Sequence, residues 1–283
     1  LPSCSTPRYV APRRTSTLTT ECLSILLNLT PFVNCFYGAF QKYFKKLAFW
    51  LFSCYNEEDM NLRFPDKTQY PAVGIAVSGG ADSVALLIWC AEHKKELPEI
   101  TVYTFDHRLR GEAGAADAAY VAELAARCGF CCRRFVLPVK AYAAGSKLST
   151  EDAARDLRRK VYREAVSRGE VSLIATAHHA GDLAETVLFR LLRGTGVTGA
   201  AGILPETEGV IHPMLGVTKE EIVAFLAERR VVFRTDATNF DNAYTRNFLR
   251  NQVLPLIETR FPRAQEALAR FAGLAKEDDD LLE

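Results

Sequence analysis

The sequence predicts an α/β fold: a mainly parallel, twisted sheet with helices on both faces, followed by a small helical segment. Three observations carry that expectation. From about Val73 onward, short apolar runs alternate with longer stretches of helical spacing, the order that builds a parallel sheet from strand–helix–strand units. The first run, "AVGIAV", is apolar over its length and ends against glycines, as a buried strand does. Three polar strings, SGGADS, "DHRLR" and "HHAGD", fall at the carboxyl ends of strands, where open parallel sheets place their ligands.

The elements follow in order. After "AVGIAV" (residues 72–77), Asp82 to Lys95 has helical spacing. "ITVYTFD" is the second strand, and Ala115 to Arg127 an alanine-rich helix. "CRRFVLPV" is the third strand. "STEDAARDLRRKVYREAV" opens a helix with Ser149 or Thr150 as cap and acids in its first turn. "VSLIATAHH" is the fourth strand, and "DLAETVLFRLLRG" a helix stopped by Gly194. "GVIHPML" reads as a short fifth strand, and "TKEEIVAFLAERR" as a capped helix. There is no internal repeat.

The chain has 283 residues, 48% of them hydrophobic, and a net charge of +1. That suffices for one large or two small domains with a buried core. Near-neutral charge argues neither for nor against nucleic acid, because clustering matters more than the sum. Basic residues do cluster, at Arg155, Arg158, Arg159, Lys160 and Arg163, at Arg190 and Arg193, and at Arg246 and Arg250. Taken singly, each cluster also reads as a solvated helix face. The eight cysteines are scattered apart from "CGFCC" (Cys128, Cys131, Cys132). A secreted disulfide framework would be denser in a shorter chain, and a zinc site would need a second pair. Reduced, mostly buried thiols are expected.

Residues 1–59 read differently. "LPSCSTPRYVAPRRTSTLTT" carries Arg, Ser and Thr without an acid, in the manner of a transit peptide. The apolar runs behind it are broken by Asn28, Pro31, Asn34, Lys42, Lys45 and Lys46. Neither run reaches the ~20 uninterrupted apolar residues of a membrane span. The expectation is a poorly ordered segment upstream of a true start at Met60. An organelle-targeting leader, then a membrane anchor, are the alternatives.

The polar strings carry the chemistry. In SGGADS, the glycines let backbone N–H groups turn toward a ligand and the following helix adds its positive end, so an anion is welcome. The loop lacks the lysine of a Walker A motif. Asp82 fits helix capping or magnesium. A plain capped turn would not require Ser78, Gly79, Gly80 and Ser83 together. "GTGVTG" (residues 194–199) matches a dinucleotide fingerprint, but it follows a helix instead of a strand and reads as a loop. "HHAGDLAET" places His178 and His179 at a strand end, with Asp182 and Glu185 three apart on one face of the next helix. That pair could hold magnesium or position an ammonium group. Acids favouring a helix N-terminus explain either carboxylate but not the histidine pair.

SGGxDS after a first strand resembles the signature of the PP-loop ATP pyrophosphatases, which cleave ATP to AMP and pyrophosphate while adenylating a substrate. Further strings are similar to those of the tRNA(Ile)-lysidine synthetase family. "FDHRLR" resembles VDHxLR, and "EDAARDLRRKVYREA" resembles ExxARxxRY. "AHHAGDLAETVLFRLLRGTGVTGAAGI" resembles GHHxDDxxETxLxxLxRGxGxxGLxGM. "HPMLGVTKEEIVAFL" resembles RPLLxxxRxEIxxYL, and "DATNFDNAYTRNFLR" resembles DxSNxxxxYxRNxIR. The matches run in order from Val73 to Leu256. The chain departs at Gly181, which replaces an acid, at Arg159 in place of tyrosine, and at His212 and Lys219 in place of arginines.

The resemblance implies a PP-loop, adenine nucleotide alpha hydrolase-like domain over residues 60–235 and a helical part over 236–283 that contributes to tRNA binding. It implies a cytoplasmic ligase without membrane attachment, and a homodimer is compatible with it. The reaction would join free L-lysine to C2 of cytidine 34 in the CAU anticodon of tRNA(Ile), through an adenylated intermediate, with ATP and Mg²⁺. ATP would lie on Ser78, Gly79, Gly80, Ala81, Asp82 and Ser83 with Arg155, and magnesium on Asp82. Asp82, Asp106, Asp182 and Glu185 would form the catalytic set, Asp182 and Glu185 also binding lysine. Arg193, Arg246, Asn247 and Arg250 would meet RNA, which arginine's planar fork suits. Three rivals remain: a tRNA thiolase using the CGFCC thiols, a nucleotide-binding module without chemistry, and a catalyst of amide formation on a small acid.

Overall fold

The computed structural model describes residues 60–109, 111–234 and 245–282. The expectations for residues 1–59 lie outside the described residues, as do those for 235–244.

Six strands form one sheet in the order β3-β2-β1-β4-β6-β5. They are β1 (Ala72–Ala76), β2 (Glu99–Asp106), β3 (Cys131–Val136), β4 (Leu173–Ala175), β5 (Glu206–Thr207) and β6 (Val210–Ile211). β1 pairs in parallel with β2 and β4, β2 with β3, and β4 with β6; only β5 runs antiparallel, against β6. The chain leaves β1 toward β3, then returns to lay β4 on the other side of β1. The reversal opens a crevice beyond the carboxyl ends of β1 and β4, as in other doubly wound sheets.

Side-chain alternation along each strand decides which helices cover which face. Val73 and Ile75 of β1, Ile100 and Val102 of β2, and Leu173 and Ala175 of β4 enter one core. There they meet Val84 to Leu87 of α1 (Ala81–Glu92), Val121 and Leu124 of α2 (Glu112–Arg127), and Ile222, Phe225 and Leu226 of the helix spanning Lys219–Glu228. On the other face, Tyr103 and Ile174 pack on Tyr162 and Ala165 of a helix spanning Thr150–Ser167. That helix is α4, since α3 (Val139–Ser146) precedes it. Phe105 is stacked on Phe135 at 5.4 Å and meets Tyr162 edge-on at 5.7 Å.

The remaining helices are α5 (Ala180–Leu192), the single turn α6 (Val197–Ala200), α7 (Lys219–Glu228), α8 (Thr245–Phe248), α9 (Leu254–Glu258) and α10 (Ala264–Leu282), with a π-helical turn between α8 and α9. The amphipathic α10 lays Ala272 against Leu183 and Val187 of α5, so the carboxyl-terminal helices brace the helix that carries the acid pair.

The elements differ from expectation at the edges. The fifth strand shrinks to Val210–Ile211 and gains the hairpin partner β5. The third strand stops at Val136, and from Pro138 the chain enters a helix, α3, over residues to which the sequence pattern assigns no element beyond Val139. The fourth strand is confined to Leu173–Ala175, because Thr176 to His179 already turn toward α5.

Candidate active site

The loop from β1 to α1 is held by its own serines. The Ser78 N–H donates to Ser83 Oγ at 3.1 Å, and the Ser83 hydroxyl donates to the Gly80 carbonyl at 3.0 Å. Gly79 adopts φ +92°, which a side chain would resist, and its carbonyl accepts from the Arg234 N–H at 2.9 Å. α1 therefore starts at Gly80 with no side-chain cap, and the capping role considered for Asp82 is not what the structure shows. Its carboxylate instead binds Lys219 Nζ from the start of α7.

The β4–α5 loop faces it. His179 is buried, and its Nδ1 accepts from the Gly181 N–H at 3.0 Å, which leaves the ring proton on Nε2. Nε2 lies 3.6 Å from Asp182 Oδ2 and 4.0 Å from Asp82 Oδ1. This histidine joins the two strings. Thr218 caps α7 in a reciprocal box with Glu221, and the Val217 carbonyl accepts from the Ala180 N–H at 2.9 Å, which fixes the starts of α5 and α7 side by side.

Asp182 serves two ends. Oδ2 accepts from the His179 N–H at 3.1 Å, the helix-start role, while Oδ1 takes Arg250 Nη2 at 2.7 Å. Burial alone would raise its pKa; the neighbouring His179 ring and the Arg250 guanidinium outweigh that and hold it below the usual carboxylate value. Glu185 is 2% exposed and meets Arg246 Nη1 at 2.9 Å and Arg250 Nη2 at 2.7 Å. The expected acid pair and two expected RNA-facing arginines are thus one cluster.

Beside it, Thr176 Oγ1 lies 2.8 Å from His178 Nδ1 and 3.1 Å from His212 Nδ1. Burial lowers the pKa of both imidazoles, that of His212 to about 4. Arg155 sits on the same side. Burial lowers its pKa first, and the like charge of Arg246 lowers it further. Cations brought together in this way suit an anion.

Other expected residues lie apart or serve the scaffold. The Asp106 Oδ1 accepts from the Arg108 N–H at 2.9 Å and faces Gly114, so these contacts shape the β2–α2 turn. Asn247 is half-buried on α8. Arg193, exposed at the end of α5, stacks over Phe189. Arg190 is tied to the carbonyls of Gly199 and Gly202 at 2.8 and 2.9 Å, closing the GTGVTG loop. Cys131 pairs with Thr101 near the amino end of β2, opposite the site, and burial raises the pKa of Cys128 and Cys132. Lys219 was visible only as a departure from the family pattern. Arg234 acts through its backbone, and no side-chain pattern could have marked it.

The chain matches the PP-loop domain family over residues 56–257. It belongs to that family. Its PP-loop sequence is also similar to the tRNA(Ile)-lysidine synthase of Chlorobaculum tepidum, 41% identical over 216 residues, covering 75% of this chain and 65% of that protein. The synthase of Thermosipho africanus is 39% identical over 198 residues, covering 70% of this chain and 46% of its own length. The chain therefore spans less than two thirds of both relatives. Among solved structures, the U34-tRNA thiolase NcsA from Methanococcus maripaludis with its 4Fe–4S cluster superposes with a TM-score of 0.59 at 15% identity, covering 77% of this chain and 74% of that one. At that identity the likeness is one of PP-loop fold.

Among the described residues, no three His, Cys, Asp or Glu side chains converge as metal ligands. Magnesium needs fewer, since it keeps waters and binds through one or two carboxylates plus phosphate oxygens. Asp82, in the first turn of α1 and ion-paired with Lys219, supplies one such carboxylate. No helix of the described residues is long and apolar enough to cross a membrane.

Proposed function

We propose that this chain carries out tRNA(Ile)-lysidine synthesis: the C2 carbonyl oxygen of cytidine 34 in a CAU anticodon is adenylated by ATP with loss of pyrophosphate, and the ε-amine of free lysine then attacks C2 and displaces AMP. The observation that supports it is His179, which brings Asp82 of the nucleotide loop to the acid pair of α5. Activation and amine capture then share one crevice, as a two-step transfer requires.

In this reading the N–H groups of Gly79 to Ser83 and the α1 start receive the triphosphate. Lys219 supplies from α7 the cation that the loop lacks. Asp82 would hold Mg²⁺, which neutralises charge on the departing pyrophosphate when bound. Arg155 contributes to ATP binding and Asp106 belongs to the catalytic set, where it shapes the neighbouring loop. Asp182 and Glu185 seat the lysine ammonium, with Arg246 and Arg250 giving way to it and turning to RNA phosphate, together with Arg193 and Asn247. The cytoplasm, where tRNA and ATP meet, is the expected compartment, and the homodimer is tested by sedimentation of the full chain.

The deciding experiment measures AMP release from ATP with a tRNA(Ile) transcript bearing CAU, plus lysine, ammonia or a sulfur donor. Release that requires both the RNA and lysine, with lysidine in the product, supports the proposal. Release that requires a sulfur donor, or proceeds without RNA, overturns it.

A further inference from the structure

We propose that the cavity at the outer end of α5, floored by Phe189, takes one unstacked nucleobase of the RNA, belonging to the nucleotide next to the one that reacts. The inference rests on the reading that the substrate is a tRNA anticodon. Phe189, Leu192, Arg193, Thr245 and Leu249 line a cavity of about 320 Å³. No carboxylate is among them. The Arg193 and Arg246 guanidinium carbons lie 5.2 and 5.1 Å from the centre of the Phe189 ring. An aromatic face accompanied by guanidinium groups is how single-stranded nucleic acid is held without sequence preference, the ring stacking a base and the cations following the backbone.

The apolar wall points the same way. Leu192, which lines the cavity, is 67% exposed, an apolar edge that a flat base could cover. Arg193, set among lining residues that include no carboxylate, favours a polyanion over a neutral protein surface.

Position selects the nucleotide. Asp182, Glu185 and Phe189 stand at helical spacings of three and four, so they share one face of α5. Glu185 to Phe189 is about 6 Å along the axis at 1.5 Å per residue, one extended nucleotide step. Arg246 spans that step, stacking on Phe189 while holding Glu185 Oε1 at 2.9 Å. A base on Phe189 would therefore lie beside the amine site, with the reacting base at the acids.

The test titrates the full chain with anticodon-loop heptanucleotides carrying 2-aminopurine at each position in turn. Quenching is expected at one position adjacent to the target cytidine. Phe189→Leu should abolish it and weaken binding roughly ten- to hundredfold, whereas Phe189→Trp should keep both. In AMP release, Phe189→Leu should raise KM for tRNA while leaving KM for ATP in place. A Leu variant that quenches and binds like the parent overturns the proposal, as does a Trp variant as weak as Leu. So does a Leu variant altered only in its self-association, which would assign the wall to a protein contact. If the parent chain quenches but releases no AMP with tRNA, the proposed reaction fails and the base site stands. If AMP release is normal in parent and Leu variant alike, the base site fails and the reaction stands.

Discussion

Arg250 Nη2 stands 2.7 Å from Glu185 Oε2, yet its N–H bond is directed at Asp182 Oδ1, and Glu185 Oε2 receives no hydrogen bond. Distance makes this an ion pair; direction leaves one oxygen of a buried carboxylate with an open lone pair. An ammonium group, with three donors, would fill it. Glu185→Gln should raise KM for lysine roughly ten- to hundredfold, the worth of one charge-assisted hydrogen bond, while adenylated tRNA still accumulates. Asp182→Asn should do the same. Separate assays of adenylated tRNA and lysidine check this, and equal loss of both steps would assign the acids to magnesium.

Lys219 reaches Asp82 from outside the loop. Lys219→Met should raise KM for ATP roughly tenfold or more, with Lys219→Arg recovering most of the loss. Asp82→Ala and Ser83→Ala should stop pyrophosphate release from folded protein, which a coupled pyrophosphate assay reads directly.

Gly181 stands where the family has an acid. A Cβ there would lie 2.8 Å from His179 Cε1 and 3.2 Å from Gln265 Oε1. Gly181→Ala and Gly181→Asp should both lower stability, by about 1–3 kcal/mol, and displace the histidine that bridges the loops. Urea midpoints and KM for ATP, measured together, test both effects.

His212 gives a pH signature. Its pKa is pushed down to about 4 by burial and then by His178, against the opposing charge of Asp182. The unfolded imidazole takes up a proton near 6.5 that the folded one refuses, so this stability is complete above pH 6.5 and is lost as pH falls toward 4, by up to about 3 kcal/mol. Thr176 faces the same ring, and His178 answers in turn to Asp182, Arg155, Arg158 and His179. Urea unfolding at pH 7.5, 6 and 4.5 should show a shallower loss for His212→Gln than for the parent chain.

Replacing Cys128, Cys131 and Cys132 together by Ser should lower the melting temperature modestly and leave lysine-dependent AMP release intact, because these thiols sit at the amino end of the sheet. A soluble but inactive triple variant would restore the thiolase reading.

Much of this was legible because strand period and loop chemistry agree. The apolar runs of β1, β2 and β4 and the polar strings after them are local features, and they located Ser78 to Ser83, Asp182 and Glu185. What a linear reading could not supply was adjacency. Nothing in the spacing says that β4 returns beside β1, so the meeting of Asp82 with His179 needed the strand order. Nor does it say that Arg246 and Arg250 fold back onto the acids. Short edge elements such as β5 and α3 were missed because a few residues carry too little periodicity to register.

Thr176 has one hydroxyl proton and two imidazole neighbours, His178 and His212, both approached at Nδ1. It can donate to only one of them, so the other ring must present its own Nδ1–H to the hydroxyl oxygen. The two neutral histidines are consequently locked as opposite tautomers. Exchanging the roles takes more than turning the hydroxyl: each ring must also move its proton between Nδ1 and Nε2, so which Nε2 donates and which accepts changes in both rings or in neither. The far edges of two side chains 34 positions apart in sequence thus carry complementary hydrogen-bonding faces at every moment, and Thr176→Val would let each choose its face alone.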